Sequence, residues 1–391
     1  MSSSLPLSRR AAEIEPFRVM DLLARARTLE AQGRSIVHME IGEPDFPTPD
    51  PVILAGVKAL AERRTHYTPA LGLGELREAI ARDYQRREGV LVDPEQIAVT
   101  PGASGALQLV LATLLDPGDE VLTADPGYPC NRHFVRVLDG RPRGIPVDAE
   151  TAWQITEAHL AAHWSSATRA VLVASPGNPT GTLISAAELQ ALSRYTAERG
   201  AALIVDEIYR GLVYEQAPPS AAGLADHVFV LNSFSKYFGM TGWRLGWVVA
   251  PASHVRALDK LAQNLFLAAP TPAQHAALAA FSAETLAILE TRRETFRQRR
   301  DFLVRALREL GFGVPVVPQG AFYVYADCSR YTDDSERFCR ELLETAGVAV
   351  TPGVDFGEHR ARTHVRFAYT TDMARLEEGV TRLAQFLGQS G

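Results

Sequence analysis

Short apolar runs, each about the length of a strand, alternate with helical patterns through the middle of the chain, which restricts it to a mainly parallel α/β sheet. The runs are Ile97–Thr100, Glu120–Ala124, Ala170–Ala174, Ala202–Val205, Val228–Leu231 and Leu245–Val249, mostly rich in Val, Ile and Leu. Strands covered on both faces have this composition. Between them, Glu75–Arg87 sets Leu76, Ala79, Ile80 and Tyr84 at helical spacing, and Ser104–Leu115 predicts a helix stopped by Asp116-Pro117-Gly118. The alanine-rich stretch Ala268–Ala287 reads as helix filling. Beyond about residue 285 a long charged helix, Thr291–Leu310, carries Phe296, Leu303, Leu307 and Leu310 on one stripe. Shorter patterns follow it, as in a second, smaller α+β domain.

A length of 391 residues suits two or three domains. The 40 Lys and Arg against 46 Asp and Glu, with no long block of one sign, leave no footprint for nucleic acid. Cys130, Cys328 and Cys339 lie far apart and outside any C-x-x-C arrangement, so neither a disulfide framework nor a cysteine zinc site is indicated. The first ten residues lack the apolar stretch of a signal peptide, and no window approaches the ~20 apolar residues of a membrane span. A cytoplasmic protein is expected.

The most informative string is Ser233-Phe234-Ser235-Lys236-Tyr237-Phe238-Gly239-Met240-Thr241-Gly242-Trp243-Arg244-Leu245-Gly246. A lysine among apolar and aromatic neighbours can become a nucleophile toward carbonyls as its pKa falls. Two serines and Arg244 supply the hydroxyls and guanidinium fork that suit a phosphate. Together they point to pyridoxal phosphate. Over this string, and from Gly42-Glu43-Pro44-Asp45-Phe46 to Val365-Arg366-Phe367, the chain resembles the class I/II aminotransferases, fold-type I pyridoxal-phosphate enzymes related to aspartate aminotransferase.

The other blocks have readings of their own beside the family's. In Val205-Asp206-Glu207-Ile208-Tyr209 a carboxylate ends a buried strand, either as a helix N-cap or as a partner for a pyridinium nitrogen. The resemblance implies the latter, with Tyr209 touching the ring's 3-oxygen. Ser175-Pro176-Gly177-Asn178-Pro179-Thr180-Gly181 is rich in turn formers. The resemblance puts Asn178 against both the 3-oxygen and the substrate carboxylate, and a cis bond is expected before Pro179. Thr100-Pro101-Gly102-Ala103-Ser104-Gly105 opens a helix, where free N–H groups bind phosphate. The family places the cofactor phosphate there, on Gly102, Ala103 and Ser104. Some aspartate-preferring relatives carry a lysine where this chain has Ser104, which weakens an aspartate assignment. The resemblance further implies that Tyr128 stacks on the cofactor and that Tyr67 reaches the phosphate in a neighbouring subunit. On the substrate side it implies that Arg366 holds the α-carboxylate and that Gly42 lies on the substrate-proximal loop.

The reading is therefore a fold-type I homodimer. A large domain, 46–285, carries the cofactor on a mainly parallel sheet; residues 1–45 and 286–391 make the small domain. Lys236 acts as general acid and base and Asp206 stabilises charge on the ring, while the amino group passes from an amino acid to a 2-oxo acid in a ping-pong cycle. Two alternatives stay open: a β-eliminating carbon–sulfur lyase of the same fold, and a non-catalytic regulatory domain binding the same cofactor. The donor is not specified, although Phe17, Leu265 and Phe266 suggest an apolar or aromatic side chain. His159 and His163 share a zinc-pair spacing but lack a third ligand, and are read as surface histidines.

Overall fold

Rows of buried Val, Ile and Leu with no exposed alternation make the central strands pair edge to edge with both faces covered. The computed structural model describes residue 5 and residues 7–389. In chain order the strands are β1 (Val37–His38), β2 (Ile97–Thr100), β3 (Glu120–Asp125), β4 (Arg141–Pro146), β5 (Thr168–Ala174), β6 (Ala202–Asp206), β7 (Val228–Ser233), β8 (Gly246–Val249), β9 (Tyr323–Asp327), β10 (Val348–Ala349), β11 (Thr351–Pro352) and β12 (His364–Ala368). Strands β2 to β8 form one sheet in the order β2-β8-β7-β6-β5-β3-β4. Its pairs are parallel except the two made by β8.

Alternate residues of the sheet feed two cores. Leu203, Val205 and Val230 face one side, and their cluster continues through Phe296 and Leu303 to Phe322, Val324 and Val365 near the C-terminus. On the other side Ile204, Phe229 and Leu231 pack with Leu107, Val110 and Leu111 of the helix Gly102–Leu114. A smaller antiparallel sheet, β11-β12-β9, sets Arg366 on its middle strand, opposite Thr351 and Tyr325. Strand β1 pairs in parallel with β10, tying the N-terminal segment to this body.

The differences from the sequence reading have local causes. Strand β4, Arg-Pro-Arg-Gly-Ile-Pro, has no apolar run to announce it. It is an edge strand paired only with β3, where prolines are tolerated because one row of N–H groups has no partner to serve. The long helix runs Ala283–Glu309 rather than Thr291–Leu310, beginning where the Ser282 side chain accepts the Thr285 N–H. The helix expected from Ser104 starts at Gly102, directly after the short β2. Among the described residues no helix is long and apolar enough to cross a membrane, and no cluster of His, Cys, Asp and Glu is placed to hold a metal.

Candidate active site

Parallel strands end on a common edge, and β8, running the other way, begins there. This topology gathers the segments after β2, β3, β5, β6 and β7 with the one before β8, as expected for a ligand site in an open α/β sheet. A cavity of about 240 Å³ opens at that edge. It is lined by Ala103, Ser104, Tyr128, Asn178, Asp206, Tyr209, Ser233, Ser235, Lys236 and Arg244, with Gly42 of the N-terminal segment and Arg366 of β12 closing it. Gly102 stands just behind this wall, and Tyr67 lies elsewhere, 82% exposed.

At the centre, Lys236 Nζ donates to the carbonyl of Gly42 at 2.8 Å. Burial lowers its pKa to about 8; Glu43 opposes the shift, while Arg366 and Arg244 add to it. Asp206 is moved the opposite way, to about 6, mainly by burial, against the Ile208 N–H that donates to its carboxylate at 3.1 Å. No α-helix follows Asp206, so the N-cap reading fails. A turn leads instead into the short 3-10 segment Arg210–Leu212.

One end of the cavity suits a phosphate. The helix Gly102–Leu114 points its first N–H groups there, and these have no partners within the helix. Gly102 has φ +75°, and a Cβ on it would stand 2.6 Å from Arg244 Nη2, so the glycine lets the guanidinium lie across the helix start. Arg244 itself is left-handed at φ 53°, held by its bond from Nη1 to the Thr241 carbonyl at 3.0 Å. The buried Ser233 hydroxyl accepts the Ser235 N–H at 3.0 Å, fixing the turn that presents both serines.

The opposite end suits a carboxylate. Arg366 is 2% exposed and donates through Nη1 to Asn178 Oδ1 at 3.0 Å, and through Nη2 to Thr351 Oγ1 at 3.2 Å and to the Glu40 carbonyl. The peptide before Pro179 is cis, as expected, and so are those before Pro126 and Pro176. Tyr323, on β9, is a site residue that the sequence reading missed, because no motif surrounds it. Its hydroxyl meets that of Tyr209 at 2.9 Å, and its ring lies 4.3 Å from the Arg366 guanidinium. A Cβ on Gly42 would fall 1.9 Å from the Tyr323 hydroxyl, which explains why glycine stands at 42. Phe17 also lines the cavity and meets Tyr128 edge-on with ring centres 6.2 Å apart, whereas Leu265 and Phe266 do not line it.

The donor set fits pyridoxal phosphate. It offers an amine of lowered pKa for the carbonyl, helix N–H groups, hydroxyls and a guanidinium for the phosphate, and a buried carboxylate for a basic ring nitrogen. The two histidines are corrected in detail. Both are half-buried: His159 closes a capping box with Thr156, and the His163 ring meets the His159 carbonyl at 2.9 Å.

Comparison with known proteins agrees with this chemistry. The family description "Aminotransferase class I and II" matches residues 34–383. The chain is 39% identical to the valine–pyruvate aminotransferase of Mycobacterium tuberculosis, covering 96% of this chain and 97% of that protein. It is 37% identical to the aspartate/prephenate aminotransferase of Thermus thermophilus, over 98% of this chain and 99% of the relative. A crystal structure of an aminotransferase from Mycobacterium tuberculosis superposes with a TM-score of 0.95 at 38% identity, over 99% of this chain and 100% of the other.

Proposed function

The chain belongs to the class I and II aminotransferases, pyridoxal-phosphate enzymes that move an amino group from an amino acid to a 2-oxo acid, and from that premise we propose a donor with an uncharged, apolar side chain. The relatives' names span valine and aspartate, so membership of the family leaves the donor to the cavity. One observation carries the reading. The charged side chains lining the cavity are Asp206, Lys236, Arg244 and Arg366, each with a place in the common chemistry. What remains for a donor side chain is mostly apolar, including Phe17, Val19, Met20, Ile41 and Phe134. Among the described residues lining this cavity a second carboxylate would find no further cation, and its desolvation would go uncompensated.

Bound pyridoxal phosphate supplies an electron-accepting ring that makes the substrate's Cα–H acidic. Around it, Lys236 Nζ is the group that removes the Cα proton, and its lowered pKa keeps a useful fraction of free amine near neutrality. Asp206 keeps a proton on the ring nitrogen, since a cation beside it relieves the cost of its own buried charge. Arg366 and Asn178 orient the α-carboxylate, Tyr209 and Asn178 serve the 3-oxygen, and Tyr128 covers the ring face. Gly102, Ala103, Ser104, Ser233, Ser235 and Arg244 hold the phosphate. Residues 46–285 act as the cofactor body, with 1–45 and 286–391 as the body that brings Gly42 and Arg366. The enzyme works as a cytoplasmic homodimer in which Tyr67 serves the neighbouring site.

Steady-state kinetics over a donor panel test the donor class. The reading expects kcat/KM for leucine, valine or phenylalanine to exceed that for aspartate or arginine by about tenfold or more, the scale set by an unpaired charge in an apolar pocket. A preference for aspartate or arginine would overturn it. The lyase alternative is disfavoured because the named relatives matched along their length are aminotransferases.

A further inference from the structure

Three successive backbone carbonyls before Pro44 accept side-chain hydrogen bonds, the first and third from residues lining the cavity. The Glu40 carbonyl accepts from Arg366 Nη2 and, at 2.9 Å, from Thr351 Oγ1. The Ile41 carbonyl accepts from Thr370 Oγ1 at 3.0 Å, and the Gly42 carbonyl accepts from Lys236 Nζ at 2.8 Å. The direction of the guanidinium and the resting place of the amine therefore both depend on where this short stretch lies.

Backbone bonds hold the stretch at Met39, whose N–H donates to the Ala349 carbonyl at 2.9 Å and whose carbonyl accepts the Ala368 N–H at 2.7 Å, and an ion pair outside the cavity adds a side-chain tether. The Glu40 side chain is 0% exposed, and its Oε1 lies 2.7 Å from His38 Nδ1. Among the described residues its Oε2 has no hydrogen-bond partner. The other ring nitrogen of His38 reaches Glu30 Oε1 at 3.1 Å, on the helix Arg18–Ala31. With a carboxylate at each nitrogen the imidazolium is favoured, and the pKa of His38 is pushed up to about 9, chiefly by its bond to Glu40. A buried carboxylate with one bare oxygen is a poor source of stability, since an apolar side chain of the same size would pack there at less cost. Its effect is directional: it tethers the segment whose Glu40 and Gly42 carbonyls meet Arg366 and Lys236.

We propose that His38 and Glu40 are positioning residues that hold the Glu40–Gly42 carbonyls in register, so that Arg366 is aimed at the substrate α-carboxylate. Neither touches substrate or cofactor; they act through Arg366, whose Nη2 donates to the Glu40 carbonyl. The inference rests on the assignment of Arg366 as the carboxylate anchor.

The test uses the holoenzyme and its Glu40→Gln and His38→Gln variants. Binding of 3-phenylpropionate, a carboxylate with no amino group to react, is followed through the cofactor absorbance, together with kcat and KM for phenylalanine. The expected result is a rise of about tenfold in both the dissociation constant and KM with kcat held within about twofold, the pattern of lost binding rather than lost chemistry. Phenethylamine, which lacks the carboxylate, should bind the variants as well as it binds the parent enzyme. Unchanged 3-phenylpropionate binding in folded variants would overturn the proposal, and so would an equal loss for acid and amine, which marks general loosening. If Glu40→Gln does not fold, the more exposed His38→Gln carries the test. A parent enzyme that fails to bind 3-phenylpropionate would instead remove the Arg366 assignment and the pair's role with it.

Discussion

At the scale of single residues the site works by opposed burial effects. Burial lowers Lys236 to about 8 and raises Asp206 to about 6, so both move toward neutrality from opposite sides. Below about 8 the amine of the cofactor-free protein is protonated and unreactive toward carbonyls; above it, the free base dominates. The rate at which cofactor-free protein combines with pyridoxal phosphate should therefore rise with pH around a midpoint near 8. Stopped-flow absorbance across pH 6 to 11 checks this, after correction for the cofactor's own ionisation, and a midpoint near the ~10.4 of an ordinary lysine would contradict it. Lys236 was legible because its neighbours form a long string within one stretch of chain. Tyr323 and Glu40 were not: their contacts to Tyr209, Gly42 and Arg366 are made only when distant segments meet.

At the scale of elements, the fit between the Gly42 segment and β9 shows how one small residue governs a wall. Introducing a Cβ at 42 collides with the Tyr323 hydroxyl, which can move only by leaving Tyr209 and tilting its ring from Arg366. Gly42→Ala should cost about 1–3 kcal/mol, the usual range for overpacking a filled interior, and should raise KM for the donor more than it lowers kcat. Thermal unfolding and steady-state kinetics read both effects; a variant with parental stability and KM would show that the wall is slack. The parallel strands were legible from their unbroken apolar runs. Strand β4 was not, because an edge strand with two prolines need satisfy neither apolar continuity nor a full row of hydrogen bonds. The long helix was read short because its first residues, Ala283–Ala287, fall in the alanine-rich stretch, whose composition favours helix without marking where one helix ends and the next begins.

At the scale of the whole molecule, one surface favours a second copy. The helix Asp50–Ala61 buries Val52, Gly56 and Ala59 inward, yet leaves Leu54, Val57 and Leu60 exposed by 67%, 58% and 56%. Tyr67, six residues past the helix end, is exposed as well. An exposed apolar stripe of this kind suits the association face of the proposed homodimer. On the proposed homodimer, a charge at its centre, Val57→Asp, should convert the dimer into monomers and reduce turnover, because the role proposed for Tyr67 in the neighbouring site needs both copies. Sedimentation velocity with parallel activity assays decides this; a fully active monomeric parent would refute both the dimer and the role of Tyr67.

The central claim is that the gathered side chains carry an amino group from a donor to an acceptor through Lys236 and the cofactor, and an absorbance titration of purified holoenzyme tests it most directly. Adding an apolar amino acid alone should bleach the yellow colour, and adding 2-oxoglutarate or pyruvate should restore it, whereas the Lys236→Ala variant should lose at least about 10²–10⁴-fold in the rate of both half-reactions. Persistent colour while ammonia and pyruvate accumulate from cystathionine, or unimpaired exchange in the variant, would contradict the account.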